Sequence, residues 1–415
     1  MTTRPAAFDL RRIATILGLV ILGPAILSPA ILSPAAQADE YPVGTADSMW
    51  HDPYMIGSYR HWDEIYPVRD IPRSGDVSEL ARGTPIEDLT YVRGTTERNI
   101  DKYFELSRAT GLIVLRDDEV LFERYALGAD EASMFTSMSV AKSIASTLVG
   151  FAIDDGLIDS VDDPIDKYIP ELAGTGYEGV PIKAILQMSS GIAFIEDYTA
   201  AASDSSRLWL ETVHYRNTPL NSYVTQMERR QEPFADFNYK GVDTAALGWL
   251  IAAVTGQSLS TYAAEKIWGP LGMEADANWG VDGRGDAASE IAFCCLQATL
   301  RDFARFGLFM LHRGEWNGTA LLSAGWVDAA TAVDGDHVAF GKLYPGYPLG
   351  YGYQWWLLPG DDGAFMAVGV NGQFIYVNPA RNMVVAATHV WPSFWDAGLE
   401  KEFYALIDGF IAASE

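Results

Sequence analysis

The chain has 415 residues, a formal net charge of −26 and a hydrophobic content of 49%. This length and apolar content are sufficient for a large buried core, in one large or two closely joined domains, and they exclude a disordered chain. The strong negative charge argues against nucleic acid and anionic membrane surfaces as partners. It says little about the substrate.

Residues 1–38 have the pattern of an export signal. A basic head with Arg4, Arg11 and Arg12 precedes a largely apolar stretch, and Ala36-Gln37-Ala38 is a small-residue cleavage pattern. Three prolines within residues 24–34 argue against a stable membrane-spanning helix. We expect cleavage after Ala38 and a periplasmic or extracellular protein with a net charge near −28. An uncleaved N-terminal anchor is the alternative.

The remaining chain predicts an α+β fold. Residues 39–109 show no clear period and predict an extended N-terminal arm, whereas the apolar runs 111–115 and 120–125 flank a polar turn and predict a β-hairpin. The chain closes with four predicted strands and a helix: Tyr351–Leu357, Ala364–Val370, Gln373–Asn378, Met383–His389 and Ala397–Ala412. Strands at both ends predict one antiparallel sheet, formed by residues 110–154 and 300–415, with a helical insertion domain at 155–299.

A potential catalytic pair opens the segment after the hairpin. Apolar residues spaced by three and four predict an amphipathic helix from about Met138 to Asp155, with Thr136 or Ser137 as its N-cap. Ser139 and Lys142 then lie on one helix face, where a lysine of depressed pKa can take the serine proton. The helix N-terminus lowers such a pKa and favours an oxyanion. Taken alone, this short pattern is weak and favours a solvated first turn of the helix over a catalytic pair.

Two further features have alternative interpretations. Tyr239 precedes a predicted helix at 243–253, a position where a tyrosine usually belongs to the core or its rim. The loop-rich, aromatic residues 192–231 are compatible with a pocket wall or with a well-packed helical subdomain. Cys294 and Cys295 are adjacent, and because a bridge between neighbours is strained, we expect two small, buried, unpaired side chains.

Other chemistries lack their motifs. The sequence has no G-x-S-x-G elbow, no histidine in an obvious triad motif, no H-E-x-x-H motif and no nucleotide-binding glycine loop. The acidic residues 154–171 lack the alternating spacing of a calcium loop and predict turns and helix caps. We therefore expect neither a metal ion nor a cofactor.

The order of motifs along the chain resembles the serine β-lactamase/penicillin-binding-protein superfamily. The S-x-x-K pattern at Ser139 is followed by the acidic segment 154–171, by Gln187–Gly191, by Tyr239 and by a glycine-rich strand at 369–373. The similarity spans roughly residues 111–409. It is greatest to the class C-like branch that includes 6-aminohexanoate-dimer hydrolases and family VIII-type carboxylesterases, and it implies a β-lactamase/DD-peptidase-like fold.

The resemblance also implies roles for individual residues. Ser139 is the implied nucleophile, Lys142 its proton acceptor, and Tyr239 the group that shares this proton and passes it to the leaving group. Which of Lys142 and Tyr239 is the initial base stays open. The implied oxyanion hole consists of the backbone N–H groups of Ser139 and Val370. Tyr198 and Asn371 are the implied substrate-binding residues.

Two departures from the superfamily pattern bear on the substrate. The Y-x-N element reads Tyr239-Lys240-Gly241, and the K-[TS]-G strand motif is replaced by residues 369–373, which contain no cation. We therefore expect a serine hydrolase of esters or linear amides, including oligomer-type substrates. A β-lactamase, a D-alanyl-D-alanine peptidase or a catalytically silent binding protein of the same fold is the alternative, and an oligomer is possible.

Overall fold

A computed structural model describes residues 41–415, so the predicted export signal lies outside the described residues. The helices within this range are α1 (Met55–Ser58), α2 (Trp62–Ile65), α3 (Ile100–Ser107), α4 (Val140–Asp154), α5 (Ile182–Leu186), α6 (Asp204–Leu208), α7 (Leu220–Val224), α8 (Gly241–Thr255), α9 (Leu259–Ala263), α10 (Leu300–Leu311), α11 (Ala324–Ala330) and α12 (Ala397–Ser414). Shorter 3₁₀ and π-helical turns occupy Ile165–Lys167, Pro170–Leu172, Trp209–His214, Ala264–Trp268, Asp336–Val338 and Pro379–Arg381.

The strands lie at both ends of the chain and in its middle. They are β1 (Val68–Ile71), β2 (Ala81–Arg82), β3 (Thr90–Arg93), β4 (Thr96–Asn99), β5 (Ala109–Arg116), β6 (Glu119–Tyr125), β7 (Phe135–Thr136), β8 (Ala277–Gly280), β9 (Leu296–Ala298), β10 (Glu315–Trp316), β11 (Thr319–Ala320), β12 (Gly350–Tyr351), β13 (Trp356–Leu357), β14 (Phe365–Gly369), β15 (Gln373–Asn378) and β16 (Met383–His389).

The central sheet combines the two ends of the chain, as predicted. Its strand order is β12-β13-β14-β15-β16-β5-β6-β2, and neighbouring strands are antiparallel except for the short parallel pair β2 and β6. The pairing of β16 with β5 joins the C-terminal strands to the N-terminal hairpin. The α+β fold class is therefore confirmed.

Both faces of this sheet are buried, and alternate residues of a strand belong to different faces. Ile113 and Leu115 of β5 belong to the core that includes α4 and α10, whereas Leu112 and Val114 belong to the core that includes α12. Since successive side chains of a strand point to opposite faces, burial on both faces requires a nearly continuous apolar strand. This explains the apolar runs of β5, β15 and β16.

A second, four-stranded sheet with the order β1-β8-β9-β7 places the start of α4. Strand β7 ends at Thr136, and the next backbone N–H, that of Ser137, donates a hydrogen bond of 2.7 Å to the Leu296 carbonyl oxygen in β9. Strand β1 pairs with β8 at the far edge. The segment before Ser139 is thus held directly against β9, a strand that is distant in sequence.

Several predicted elements have different bounds in the structure. The N-terminal arm is not simply extended, because it contains α1, α2, α3 and the hairpin β3-β4, and β1 is hydrogen-bonded to β8. The predicted strand Tyr351–Leu357 is two short strands, β12 and β13, since Gln354 has a φ of +64° and the chain turns there. The N-cap of α4 is Ser139, because Thr136 is part of β7.

Candidate active site

Ser139 lies at a sharp turn between a strand and a helix. Met138 has a φ of +45°, which reverses the chain direction after β7, and α4 begins one residue after Ser139. The Ser139 side chain makes no capping hydrogen bond although it occupies the N-cap position. A non-glycine residue in the left-handed region beside an N-cap serine is a type of local strain that is frequent at functional sites.

Lys142 lies one helical turn later and contacts Ser139 directly. Its Nζ donates hydrogen bonds to Ser139 Oγ at 2.8 Å and to the Phe293 carbonyl oxygen at 2.7 Å. The side chain is 2% exposed, and burial lowers the pKa of Lys142 to about 8, against a smaller opposing effect of the Glu196 carboxylate. Within residues 41–415, Lys142 has no carboxylate in ion-pair distance. Near neutral pH, part of the protein therefore has an uncharged amine beside a hydroxyl group.

Tyr239 completes this group. The Lys142 Nζ lies 5.0 Å from the centroid of the Tyr239 ring, which also packs against Tyr351 and Trp356. Burial raises the pKa of Tyr239 far above its usual value, and a hydrogen bond with Ser139 only partly opposes this effect. The phenol is therefore protonated in the free protein. This favours Lys142 as the initial base and Tyr239 as a proton donor.

A buried ion pair fixes the backbone next to Tyr239. Lys240 and Asp243 are both fully buried, and the Lys240 Nζ lies 3.2 Å from Asp243 Oδ2. Asp243 Oδ1 accepts hydrogen bonds from the hydroxyl groups of Tyr177 and Ser190, each at 2.8 Å. Burial raises the pKa of Asp243, and the Lys240 charge opposes this rise. The network ties the start of α8, and with it Tyr239, to two other segments.

Glu196 and Tyr198 lie at the mouth of the site. The Tyr198 hydroxyl donates a hydrogen bond to Glu196 Oε1, and the Gly241 N–H donates one of 2.9 Å to Glu196 Oε2. The Tyr198 ring packs against Phe394 with the ring centroids 5.4 Å apart. Tyr198 therefore lies beside the cleft, as expected of a substrate-binding residue, but its role stays a prediction.

The glycine-rich end of β14 lies against the turn that precedes Ser139. A Cβ atom on Gly369 would be 2.7 Å from the Ser137 carbonyl oxygen and 3.0 Å from Met138 Cβ, so this close approach requires glycine. Val370 then lies next to Ser139 on the wall of the cleft. This position is compatible with the oxyanion role of the Val370 N–H, which stays a prediction.

Asn371 has a different environment from the one expected. Its Oδ1 accepts a hydrogen bond from the Tyr59 hydroxyl at 2.8 Å, and its Nδ2 donates to the carbonyl oxygens of Trp391 and Ser393. The side chain is buried, and the residue has a φ of +59°. These contacts favour a role in holding the turn between β14 and β15, and its predicted contact with substrate stays untested.

Two cavities meet at Ser139, and we call them cavity A and cavity B. Both are lined by Ser139, Tyr198, Val370 and Phe394. Cavity A has a volume of about 260 Å³, and its further lining includes Trp50, Met138, Lys142, Glu196, Ala201, Ser205, Ser206, Leu208, Trp209, Leu210, Gly241, Phe293 and Cys294. Cavity B has a volume of about 440 Å³ and is further lined by Tyr239, Tyr344, Pro345, Gly346, Tyr347, Trp356, Val368, Gly369 and Trp395.

The structure corrects the expectation for the cysteines. Cys294 and Cys295 are joined by a disulfide, so they are not two unpaired side chains. Cys295 has a φ of +71°, which turns the chain tightly and brings the neighbouring sulfur atoms together. The pair directly follows Phe293, whose carbonyl oxygen accepts the Lys142 hydrogen bond. The disulfide therefore forms part of the wall of cavity A.

Sequence reasoning missed several residues of the cleft. Trp50 comes from the N-terminal arm and Phe394 from the segment before α12, far from Ser139 in sequence. Their aromatic character is the only local signal that could have pointed to them. Across residues 41–415, no three His, Cys, Asp or Glu side chains are grouped so as to hold a metal ion. In the same range, no helix combines the length and apolarity needed to cross a membrane.

Comparisons with known proteins show what this chain is similar to. The family model described as Beta-lactamase matches residues 97–407. The 6-aminohexanoate-dimer hydrolase of Paenarthrobacter ureafaciens is 29% identical over 361 residues, which cover 84% of this chain and 88% of the relative.

Solved structures give the same fold. A Bacillus anthracis protein described as a candidate 6-aminohexanoate-dimer hydrolase superposes with a TM-score of 0.79 at 23% identity, covering 89% of this chain and 96% of that one. A family VIII carboxylesterase superposes with a TM-score of 0.57 at 18% identity, covering 74% and 95%.

Proposed function

Since the chain belongs to the beta-lactamase family of hydrolases, we propose that it is an exported serine hydrolase that cleaves carboxylic esters or linear amides through an acyl-enzyme on Ser139. The observation that carries this proposal is the hydrogen bond of 2.8 Å between Lys142 Nζ and Ser139 Oγ, made by a buried lysine whose pKa is lowered to about 8. A serine needs such a base to become nucleophilic.

The proposed reaction begins with proton transfer from Ser139 to the neutral amine of Lys142. Ser139 Oγ attacks the substrate carbonyl carbon, and the developing oxyanion accepts hydrogen bonds from the N–H groups of Ser139 and Val370, each worth ~10²–10³-fold in rate. Tyr239 donates a proton to the leaving oxygen or nitrogen and recovers one from Lys142. Water then attacks the acyl-enzyme with the same groups acting in reverse.

Two features favour esters or linear amides over β-lactams. The resemblance places an Asn side-chain amide at position 241, but this chain has Gly241 there. The backbone N–H of Gly241 donates a hydrogen bond to Glu196. None of the described residues that line cavity B is charged, so a carboxylate of the substrate would have no cation there. The similarity to a 6-aminohexanoate-dimer hydrolase supports including linear amides in the substrate class.

The export part of the proposal rests on residues 1–38 alone. Their basic head, apolar stretch and small-residue cleavage pattern are those of a signal peptide. Expression of the full chain in a bacterial host followed by mass measurement of the envelope fraction tests this directly. A mature protein that starts at Asp39 is expected, whereas a full-length chain in the membrane fraction would favour the N-terminal anchor.

The hydrolase proposal is tested by intact-protein mass after brief incubation with p-nitrophenyl butyrate, nitrocefin and the linear 6-aminohexanoate dimer, while product release is followed in parallel. We expect rapid turnover of the ester or the amide and slow turnover of nitrocefin. Ser139→Ala should lower turnover by on the order of 10⁶-fold and abolish the acyl adduct, while its circular dichroism spectrum stays unchanged. Full activity of Ser139→Ala would disprove the assignment, and rapid nitrocefin turnover would favour a β-lactamase.

A further inference from the structure

The two cavities differ in the proton-transfer residue that each contains. Lys142 lines cavity A but not cavity B, and Tyr239 lines cavity B but not cavity A, whereas Ser139 lines both. Any substrate whose carbonyl carbon reaches Ser139 Oγ must therefore extend into both cavities or leave one of them empty. The two sides of the scissile bond have different surroundings.

The chemistry of the acyl transfer decides which part of the substrate lies in which cavity. The bond from Ser139 Oγ to the acyl carbon forms while the bond from that carbon to the leaving atom breaks. The leaving atom needs a proton, and Tyr239 is the donor on the side of cavity B. The leaving group must therefore depart through cavity B, and the acyl chain must occupy cavity A.

We propose that cavity A binds an uncharged, apolar acyl chain and that cavity B binds an uncharged, apolar or aromatic leaving group. This inference rests on the proposed function, because it assigns the two halves of an ester or amide substrate to the two sides of Ser139. It defines the substrate class more narrowly than the reaction alone does, and it places the linear 6-aminohexanoate dimer, whose free ends are an ammonium and a carboxylate group, among the poorer substrates.

The lining of cavity A supports an uncharged acyl chain. Its walls include the side chains of Trp50, Trp209, Leu210 and Phe293, and its volume of about 260 Å³ is just below the range of ~300–1,000 Å³ typical of ligand pockets. Among the described residues that line it, the charged groups are Lys142 and Glu196.

Both charged groups of cavity A are already engaged. Lys142 donates to Ser139 and to the Phe293 carbonyl oxygen. Glu196 accepts hydrogen bonds from the Tyr198 hydroxyl and the Gly241 N–H, and its charge acts on Lys142. A charged group at the end of the acyl chain would compete with these contacts or lie unpaired in an apolar cavity, which is strongly unfavourable.

The lining of cavity B supports an apolar or aromatic leaving group. Tyr239, Trp356 and Tyr347 form a cluster of aromatic rings, and Tyr344 and Trp395 lie on its wall where they are partly exposed. The Tyr347 hydroxyl donates to Glu400 at 3.1 Å, so this polar group is also engaged within the protein. Flat aromatic walls favour ring stacking and apolar contact over ionic binding.

Matched ester pairs test the proposed absence of charge on each side. For the acyl side, p-nitrophenyl hexanoate is compared with p-nitrophenyl 6-aminohexanoate, which has the same chain length and leaving group. For the leaving-group side, 4-ethylphenyl hexanoate is compared with 4-(carboxymethyl)phenyl hexanoate. We expect kcat/KM to be higher by ~10-fold or more for the uncharged member of each pair. Equal or reversed values would overturn the inference for that cavity.

Two truncations at partly exposed positions test which cavity holds which half. Leu210→Ala widens cavity A and should shift the preference from butyrate towards octanoate esters, while the ratio between aryl and methyl esters stays constant. Tyr344→Ala removes an aromatic wall of cavity B and should lower the aryl-to-methyl ratio while leaving the acyl-length preference unchanged. The control is Tyr215→Ala, an exposed tyrosine outside both linings, which should change neither ratio. Exchanged effects of the two truncations would overturn the assignment.

The outcomes separate this inference from the proposed function. If the wild-type protein hydrolyses no ester and a serine-reactive phosphonate does not label Ser139, the hydrolase proposal itself fails. If esters are hydrolysed through Ser139 without discrimination by charge, the reaction stands and only the assignment of the cavities is wrong.

Discussion

Lys142 and Lys240 are both buried near the start of a helix, yet their surroundings differ in one respect. Lys240 lies 3.2 Å from the buried carboxylate of Asp243, whereas Lys142 has a serine hydroxyl and a backbone carbonyl oxygen as its partners. Lys142 lies in the first turn of α4 and Lys240 is the N-cap residue of α8, and these two helices pack against each other. Burial alone therefore does not define a catalytic lysine. The decisive feature is a buried amine that has a nucleophile, rather than a counter-charge, within hydrogen-bond distance.

Among the variants that test this comparison of the two lysines, the largest effect is expected for Lys142→Met. It removes the proposed base while preserving the apolar volume, so kcat/KM for p-nitrophenyl butyrate should fall by ~10²–10⁴-fold. Steady-state kinetics and labelling by a serine-reactive phosphonate measure the effect, with wild-type protein as the reference. Activity within tenfold of the wild type would show that another group is the base.

The same variant should not be less stable than the wild type near neutral pH. Above pH 10.5 the lysine is neutral in both the folded and the unfolded chain. Between 10.5 and about 8 the unfolded chain binds a proton that the folded chain does not, so the free energy of unfolding decreases as the pH falls. Below about pH 8 the decrease in the free energy of unfolding is complete, and it amounts to about 3 kcal/mol for a fully buried group. Lys142→Met should lack this dependence in urea unfolding measured at several pH values.

The next effect concerns the paired lysine. Asp243→Leu leaves the buried Lys240 without a counter-charge, so the free energy of unfolding should fall by about 3–5 kcal/mol in urea unfolding. The activity should also fall, since Lys240 directly follows Tyr239. The matched control is the double variant Lys240→Met/Asp243→Leu, in which no charge remains, and it should recover most of the stability. Equal destabilisation of the single and double variants would show that the ion pair is not the cause.

The comparison also shows how far the sequence determines the structure. The predicted bounds of β15 and β16 are confirmed, because a continuous apolar run between turn residues carries a local signal. The spacing of Ser139 and Lys142 likewise predicts their contact, since residues three apart face each other on a helix. Long-range contacts carry no such signal. The ion pair of Lys240 with Asp243 is local, but its anchoring to Tyr177 is not.

The cleft could be predicted only in part, because many of its walls are formed by long-range contacts that have no local sequence signal. The resemblance pointed to Tyr239 and Tyr198, and the structure places both on the walls of the cleft. Trp50 and Phe394 come from segments without a recognisable motif, and they reach the cleft through packing over long sequence distances. The bridge between Cys294 and Cys295 depends on the backbone turn at Cys295, which neighbouring residue types do not reveal.

The smallest expected effect concerns the pH dependence of kcat/KM, which should follow the titration of Lys142. If neutral Lys142 is the base, kcat/KM should rise about tenfold per pH unit below pH 8 and level off above it.

The Glu196 carboxylate opposes the lowering of the Lys142 pKa, so Glu196→Gln should move the inflection of this pH profile to lower pH. Ester hydrolysis measured from pH 5.5 to 10 checks both statements, with Glu232→Gln, which lies outside both cavities, as the control. An inflection that stays in place or moves to higher pH in Glu196→Gln would contradict the electrostatic role of Glu196.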